Sequence, residues 1–440
     1  MGLRILTHGP SFAAKRARYG GGMTSPQPFG GDPAAWEAML ENVRRAVTAA
    51  SAGSEGPVNW ELAHQLAMNV ASNDDLEPTS AQQKAATEAL HLADLWLDAA
   101  TILPSGISRS QAWTRQLWVE HTQASWRQLS DPIAGQVVNA MTSLLTENGD
   151  ASDSANSQLS GVFPKEVLSQ IGPLSQIFAG VGGVVFGAQV GQGIGALSRE
   201  VLSATDIGLP LGPAGTGALV TVNLDEYTAG LQRPPEEARL YVALREAAHH
   251  RLYEHVPWLR GHVFDAVAAY ARGIVVDREA FEGALERVRI EVDPDDPESM
   301  QLALTDGLFT PAQTPQQHKA LERLELALAL VEGWVTHVVD SVAQQRLPSA
   351  AALSEASRRR RAAGGPAEQT FATLVGLELR PRRLREAAAL WGLLLQRREL
   401  EGRDGVWQHP DLLPTADDLD SPEEFADRNP GVTIPGMEEL

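Results

Sequence analysis

LREAAHHRLYEHVPWLRGHV, from Leu244 to Val263, is the stretch on which the fold turns. It continues a segment that opens with Arg233, Pro234, Pro235, Glu236 and Glu237. Proline suits the first helical turn, and two acids suit the positive end of a helix. Leu240, Leu244, Ala248 and Leu252 then recur at helical spacing, so one long helix is expected to run to just before Pro257. Arg245 and His249 stand four apart on one face of it, with Glu246 beside the first. Two imidazoles at that spacing would hold a zinc ion while the intervening glutamate takes a proton from bound water. Here the first position is a guanidinium. Glu-x-x-His alone is a weak signal, since the tetrapeptide is common on polar helix faces.

A second helix strengthens it. Leu321, Leu324, Leu328, Val331, Val335, Val338 and Val342 form an apolar stripe, and Glu332 followed by Gly333 interrupts it. A lone buried carboxylate costs several kcal/mol, roughly, unless it is paired or bound to a metal. A mid-helix glycine costs about 1 kcal/mol more than alanine, which points to close approach of another element. The helices bearing His249 and Glu332 are therefore expected to pack together, with Arg245 bonded to Glu332 if no metal neutralises it. Other histidines fit poorly. His250 lies about 100° round the helix from His249, and His255, His262 and His337 read as surface or hydrogen-bonded core residues. A di-iron bundle would need a second Glu-x-x-His. There is no phosphate-binding glycine loop and no G-x-S-x-G elbow.

Among 440 residues, 36 are basic and 56 acidic, giving a net charge of −20. That excludes a sequence-independent grip on nucleic acid and disfavours an anionic membrane surface. With no cysteine, neither disulfides nor thiolate metal sites can form, and a cytoplasmic location is expected. Residues 1–32 read as a disordered extension without a secretory signal. Helices are expected at Asn59–Ala71 and Ala81–Ile102, with a further one carrying Trp113, Leu117, Trp118 and Trp126. The tryptophans are expected in the core. Residues 146–160 form a polar linker. Gly183, Gly187, Gly191 and Gly195 make a bare ridge along an apolar helix near 173–201, expected to be buried against protein. Ala218–Asn223 is the best strand candidate. The Arg358–Arg361 run reads as a solvated basic turn, and the acidic, proline-punctuated residues 401–440 as an extended or disordered tail.

The Leu244–Val263 stretch, DIGLPL (Asp206–Leu211), VEGWVTHVVD (Val331–Asp340) and GGPAEQTFATLVGLEL (Gly364–Leu379) together resemble actinobacterial zincin-like hydrolases, zinc-dependent metalloproteases. The resemblance spans residues 33–400: a helical part (33–145), the linker, and a site-bearing part (161–400). It implies a mainly α zincin-like metallopeptidase fold with a short strand or small sheet near the site. Carried over by position, Glu246 is the general base, His249 and Glu332 are metal ligands, zinc is the cofactor and a peptide or protein is the substrate. The strand at Ala218–Asn223 would align that substrate by main-chain pairing. Arg245 stands where the first histidine ligand belongs. Two classes follow: a zinc peptidase with a further ligand, or a zincin-fold binding or scaffold protein in which Arg245 replaces the metal's charge.

Overall fold

The computed structural model describes residues 56–146, 174–275, 314–362 and 383–428. Helix α1 (Trp60–Ala71) begins at Asn59, whose side chain accepts the Leu62 N–H at 3.0 Å. Helix α2 (Ser80–Leu97) begins in a reciprocal capping box between Thr79 and Gln82, and stops short of the expected Ile102. Trp113 lies not on a helix but at the end of strand β1 (Arg109–Trp113). The Thr114 hydroxyl accepts the Leu117 N–H and so starts helix α3 (Arg115–Thr146) one residue later. Trp113, Trp118 and Trp126 are all buried core residues, as expected.

Strand β2 (Thr216–Val220) pairs in parallel with β1, Arg109 opposite Thr216 and Trp113 opposite Val220. The strand expected at Ala218–Asn223 thus begins two residues earlier and ends three residues earlier. From Thr221 the chain is helix α5 (Thr221–Leu231), held there by Asn223, which donates to the Ser198 and Val201 carbonyls at 2.8 and 2.7 Å. The other edge of β2 is also taken. Ala204 donates to the Ala218 carbonyl and Val220 to that of Leu202. With both edges paired, β2 has no row of main-chain groups with which to align a peptide, contrary to expectation.

Helix α4 (Leu174–Ser198) carries the glycine ridge, and Gly183, Gly187, Gly191 and Gly195 are buried. The ridge meets α1: the Asn59 N–H donates to the Gly183 carbonyl at 2.8 Å. A Cβ on Gly187 would lie 2.5 Å from the Asn59 carbonyl oxygen, so only glycine permits this approach.

Five further helices build the site: α6 (Pro235–His255), α7 (Pro257–Arg272), α8 (Pro315–Arg346), α9 (Ala350–Ala362) and α10 (Leu384–Asp404), the last kinked at Glu399. Among the described residues, α8 alone is long and apolar enough to cross a membrane, and 78% of that apolar window is buried inside the protein. It packs against α6, α7, α9 and α10. Gly333 lets α10 close on α8, since a Cβ there would sit 2.9 Å from the Ala388 nitrogen.

Two expectations fail here. The Arg358–Arg361 run is not a solvated turn but the last turn of α9, and Arg360 and Arg361 point into the protein. The tail is not extended over Gly405–Asp427. It forms two 3-10 turns and helices α11 (Ala416–Asp420) and α12 (Pro422–Asp427), burying Val406, Trp407, Leu419 and Phe425. Pro410 and Pro422 each occupy a helical first turn, where proline starts structure rather than breaking it. The expected N-terminal extension, the linker beyond Thr146, the Gly364–Leu379 segment and the end of the tail lie outside the described residues.

Candidate functional site

Helices α6 and α8 meet at Glu332, which is 2% exposed. His249 Nε2 lies 2.9 Å from Glu332 Oε1, and Arg245 Nη2 lies 2.5 Å from Oε2. The second guanidinium was not anticipated: Arg361, from the end of α9, places Nη1 2.5 Å from the same Oε2. Its neighbour Arg360 donates to Asp206 at 2.7 Å, and Arg361 also donates to the Asp206 carbonyl. Consecutive arginines on one helical turn therefore clamp both acids of the site. Burial alone would raise the Glu332 carboxyl, but Arg361, Arg245 and His249 hold it well below the usual carboxylate range. Asp206 is likewise held down, against its burial, by Arg360 and Arg361.

The loop from Asp206 to Leu211 closes over this cluster through Gly208. Its φ is +80°, and a Cβ there would sit 2.5 Å from Glu332 Oε1. Space beside Arg245, His249, Arg360 and Tyr241 amounts to about 10 Å³, room for about one water.

Glu246 faces elsewhere. Its fully buried carboxylate accepts from the Thr205 N–H (2.9 Å), the Thr205 hydroxyl (2.6 Å) and the Ala218 N–H (3.1 Å), and meets His250 Nε2 at 3.2 Å. Burial raises its pKa, but the His250 and Thr205 contacts outweigh that and lower it. These bonds tie α6 to the 203–205 turn and to β2.

A family model described as zincin-like metallopeptidase matches residues 58–426. The chain belongs to the zincin-like metallopeptidase family. No curated protein sequence matches it. A solved structure from Chloroflexus aurantiacus, described as "a putative hydrolase with a novel fold", superposes with a TM-score of 0.54 at 21% identity, covering 84% of this chain and 99% of that one. At that identity the likeness is one of fold.

Zinc is the metal that the zincin-like family suggests, and the side chains gathered here do not fit it. A guanidinium offers donors and no lone pair. The His249 Nδ1 donates to the Arg245 carbonyl at 2.8 Å, and its Nε2 faces Glu332, so neither ring nitrogen is open to a metal. Both Glu332 oxygens are engaged. Among the described residues, no group of three or more His, Asp or Glu is arranged to hold an ion.

These ionisations set the response to acid. Glu332, Glu246 and Asp206 have lowered folded pKa values, so their contribution is present above the unfolded carboxylate range and lost as pH falls through the folded values. His337, on the other side of α8, acts higher. Burial first, then Arg403, lowers it from 6.5 to about 4, against Asp340 and Asp404, and its Nε2 is buried without a partner among the described residues. The neutral folded form contributes fully above pH 6.5 and loses that contribution between 6.5 and about 4. Urea unfolding should therefore show stability declining below pH 6.5, by roughly 2 kcal/mol after allowing for partial exposure, and steepening below about 4.5. His262, lowered by burial and then by Arg323 against Asp265, contributes in the same direction. His337→Phe should therefore reduce the upper part without abolishing it and leave the lower part as it was; an unchanged profile in that variant would refute the assignment.

Proposed function

We propose that this zincin-family protein works as a binding or scaffold protein in its folded state, its metal replaced by an internal guanidinium–carboxylate centre. The observation that carries the reading is the saturation of Glu332 by Arg245, Arg361 and His249. Two permanent cations supply the charge that a dication would bring, and planar guanidinium matches carboxylate geometry.

Family membership favours a second reading, a metallopeptidase-like hydrolase acting on a peptide, with Glu246 activating water on zinc held by His249 and Glu332. It requires both arginines to leave Glu332 and Glu246 to give up its buried hydrogen bonds.

Zinc content separates the two. Protein purified without a histidine tag should hold well under about 0.1 zinc per chain. Arg245→His alone should gain little affinity, because Arg361 still occupies Glu332. Arg245→His combined with Arg361→Gln frees the carboxylate and restores the imidazole pair, and should bind zinc with a Kd of about 1 µM or tighter. About one zinc per native chain, with peptide hydrolysis abolished by Glu246→Gln, would establish the peptidase instead.

A further inference from the structure

We propose that the cleft between α3, α6, α7 and the Pro210–Ala214 segment binds organic acids, taking a carboxylate carried on an apolar body. The cleft has a volume of about 460 Å³ and is lined in part by Ala124, Ala204, Leu211 and Pro213. That lies within the roughly 300–1,000 Å³ range of small-molecule sites. It opens on a different face of α6 from His249, and no lining residue pairs with Glu332, so the inference stands whether or not that centre ever carries a metal.

Arg260, in the first turn of α7, supplies the charge. Its guanidinium donates to the Pro210 carbonyl at 2.5 Å and to the Ser125 hydroxyl and Gln128 Oε1 at 3.2 Å each, and lies over the Phe264 ring. Every one of these partners is neutral. No carboxylate lies within ion-pairing distance of it among the described residues, whereas the other arginines that line or clamp the buried centre all reach an acid. Arg260 is thus a half-buried cation held in contact by neutral groups alone; burial draws its pKa down, against the opposing field of Tyr253 and of Glu254, which acts on it through space without touching it. Among the described residues, two of its five N–H groups have no partner and are free for an anion.

Two main-chain N–H groups on the cleft lining, those of Gly212 and Ala214, are unpaired among the described residues. His250 lines the cleft as well, with its Nε2–H turned to Glu246. Glu254, the one carboxylate lining the cleft, is exposed and gives an oxygen to the Gly215 N–H at 2.8 Å. The Tyr253 hydroxyl donates to the Gly208 carbonyl at 2.7 Å and so fixes the cleft wall to the closed loop.

Calorimetric titration of the full chain tests this with three probes: octanoate, N-acetyl-leucyl-leucine and the C-terminal amide of that dipeptide. Both acids should bind, and the amide about tenfold or more weaker than its acid. Arg260→Gln should weaken both acids by about tenfold or more while leaving the amide unchanged. Ala124→Trp removes no polar group and adds bulk at the cleft wall; it should abolish binding of all three, and it keeps the test decisive if the Arg260 variant fails to fold. Tighter binding of the dipeptide would identify a peptide terminus as the source of the carboxylate; tighter octanoate, a free monocarboxylic acid. Equal affinity for acid and amide, wild-type binding by Arg260→Gln, or no heat from either acid at millimolar concentration would overturn the proposal.

Discussion

Glu332→Gln is expected to lower the unfolding free energy by about 3–5 kcal/mol, the cost of leaving buried charge without its partner. It should do so more severely than removal of either arginine. The reason lies in the stoichiometry of the cluster, one carboxylate oxygen shared by Arg245 and Arg361. Without the carboxylate, two guanidinium groups face each other across a site with room for about one water. Without one arginine, the other still neutralises Glu332, and the repulsion that helps pull Arg361 below its ordinary pKa disappears. Arg245→Ala should therefore cost only about 2–3 kcal/mol, less than a lone buried pair would predict. The double variant Arg245→Ala with Arg361→Ala should exceed the sum of the two singles, since only then is the acid abandoned. Urea unfolding of the four variants gives the ranking. A Glu332→Gln protein as stable as wild type would show that the cluster contributes no net stability, as happens when a buried ionic group is replaced by a well-fitted neutral one.

Gly187→Leu is expected to cost about 3 kcal/mol or more, the upper end of overpacking effects. The contact explains why. A Cβ at Gly187 would meet not a side chain that could swing aside but the Asn59 carbonyl, at 2.5 Å. Asn59 is also the N-cap of α1, and its N–H is bonded to Gly183. Any retreat of α1 from α4 therefore disturbs the start of α1 as well. Gly230 in helix α5 provides a control: a Cβ there has nothing within 4 Å, and Gly230→Ala should not lower the melting temperature but raise it slightly, as helix propensity favours alanine. If Gly187→Leu melted like wild type, the close packing of the two helices would be refuted.

What the sequence by itself determined is local. The Pro235–Glu237 opening announces a helix start because proline and acids at a helix N-terminus act within one turn, whereas the Thr79–Gln82 box emerged only in the structure. Glu332 in an apolar stripe had to find a partner, and Arg245 was the cation already aimed from the neighbouring helix. That is why the Arg245–Glu332 bond and the meeting of α6 with α8 were legible before any coordinates. Tertiary structure alone decided the rest. Strand β1 carries Arg109, Ser110 and Gln111, residues with little strand character, and exists only because β2 offers it a ladder. The arginines of α9 look the same in sequence whether solvated or buried; only the packing of α9 beside α6 and α8 turns Arg361 inward to share Glu332. Glu246 fits the general-base position by spacing, yet its oxygens are claimed by the main-chain N–H groups of Thr205 and Ala218 and by the Thr205 hydroxyl, all far from it along the chain. A hydrogen bond to backbone leaves no side-chain signature at the distant position. Spacing along one helix fixes which side chains share a face, and it cannot say what the rest of the chain brings to meet them.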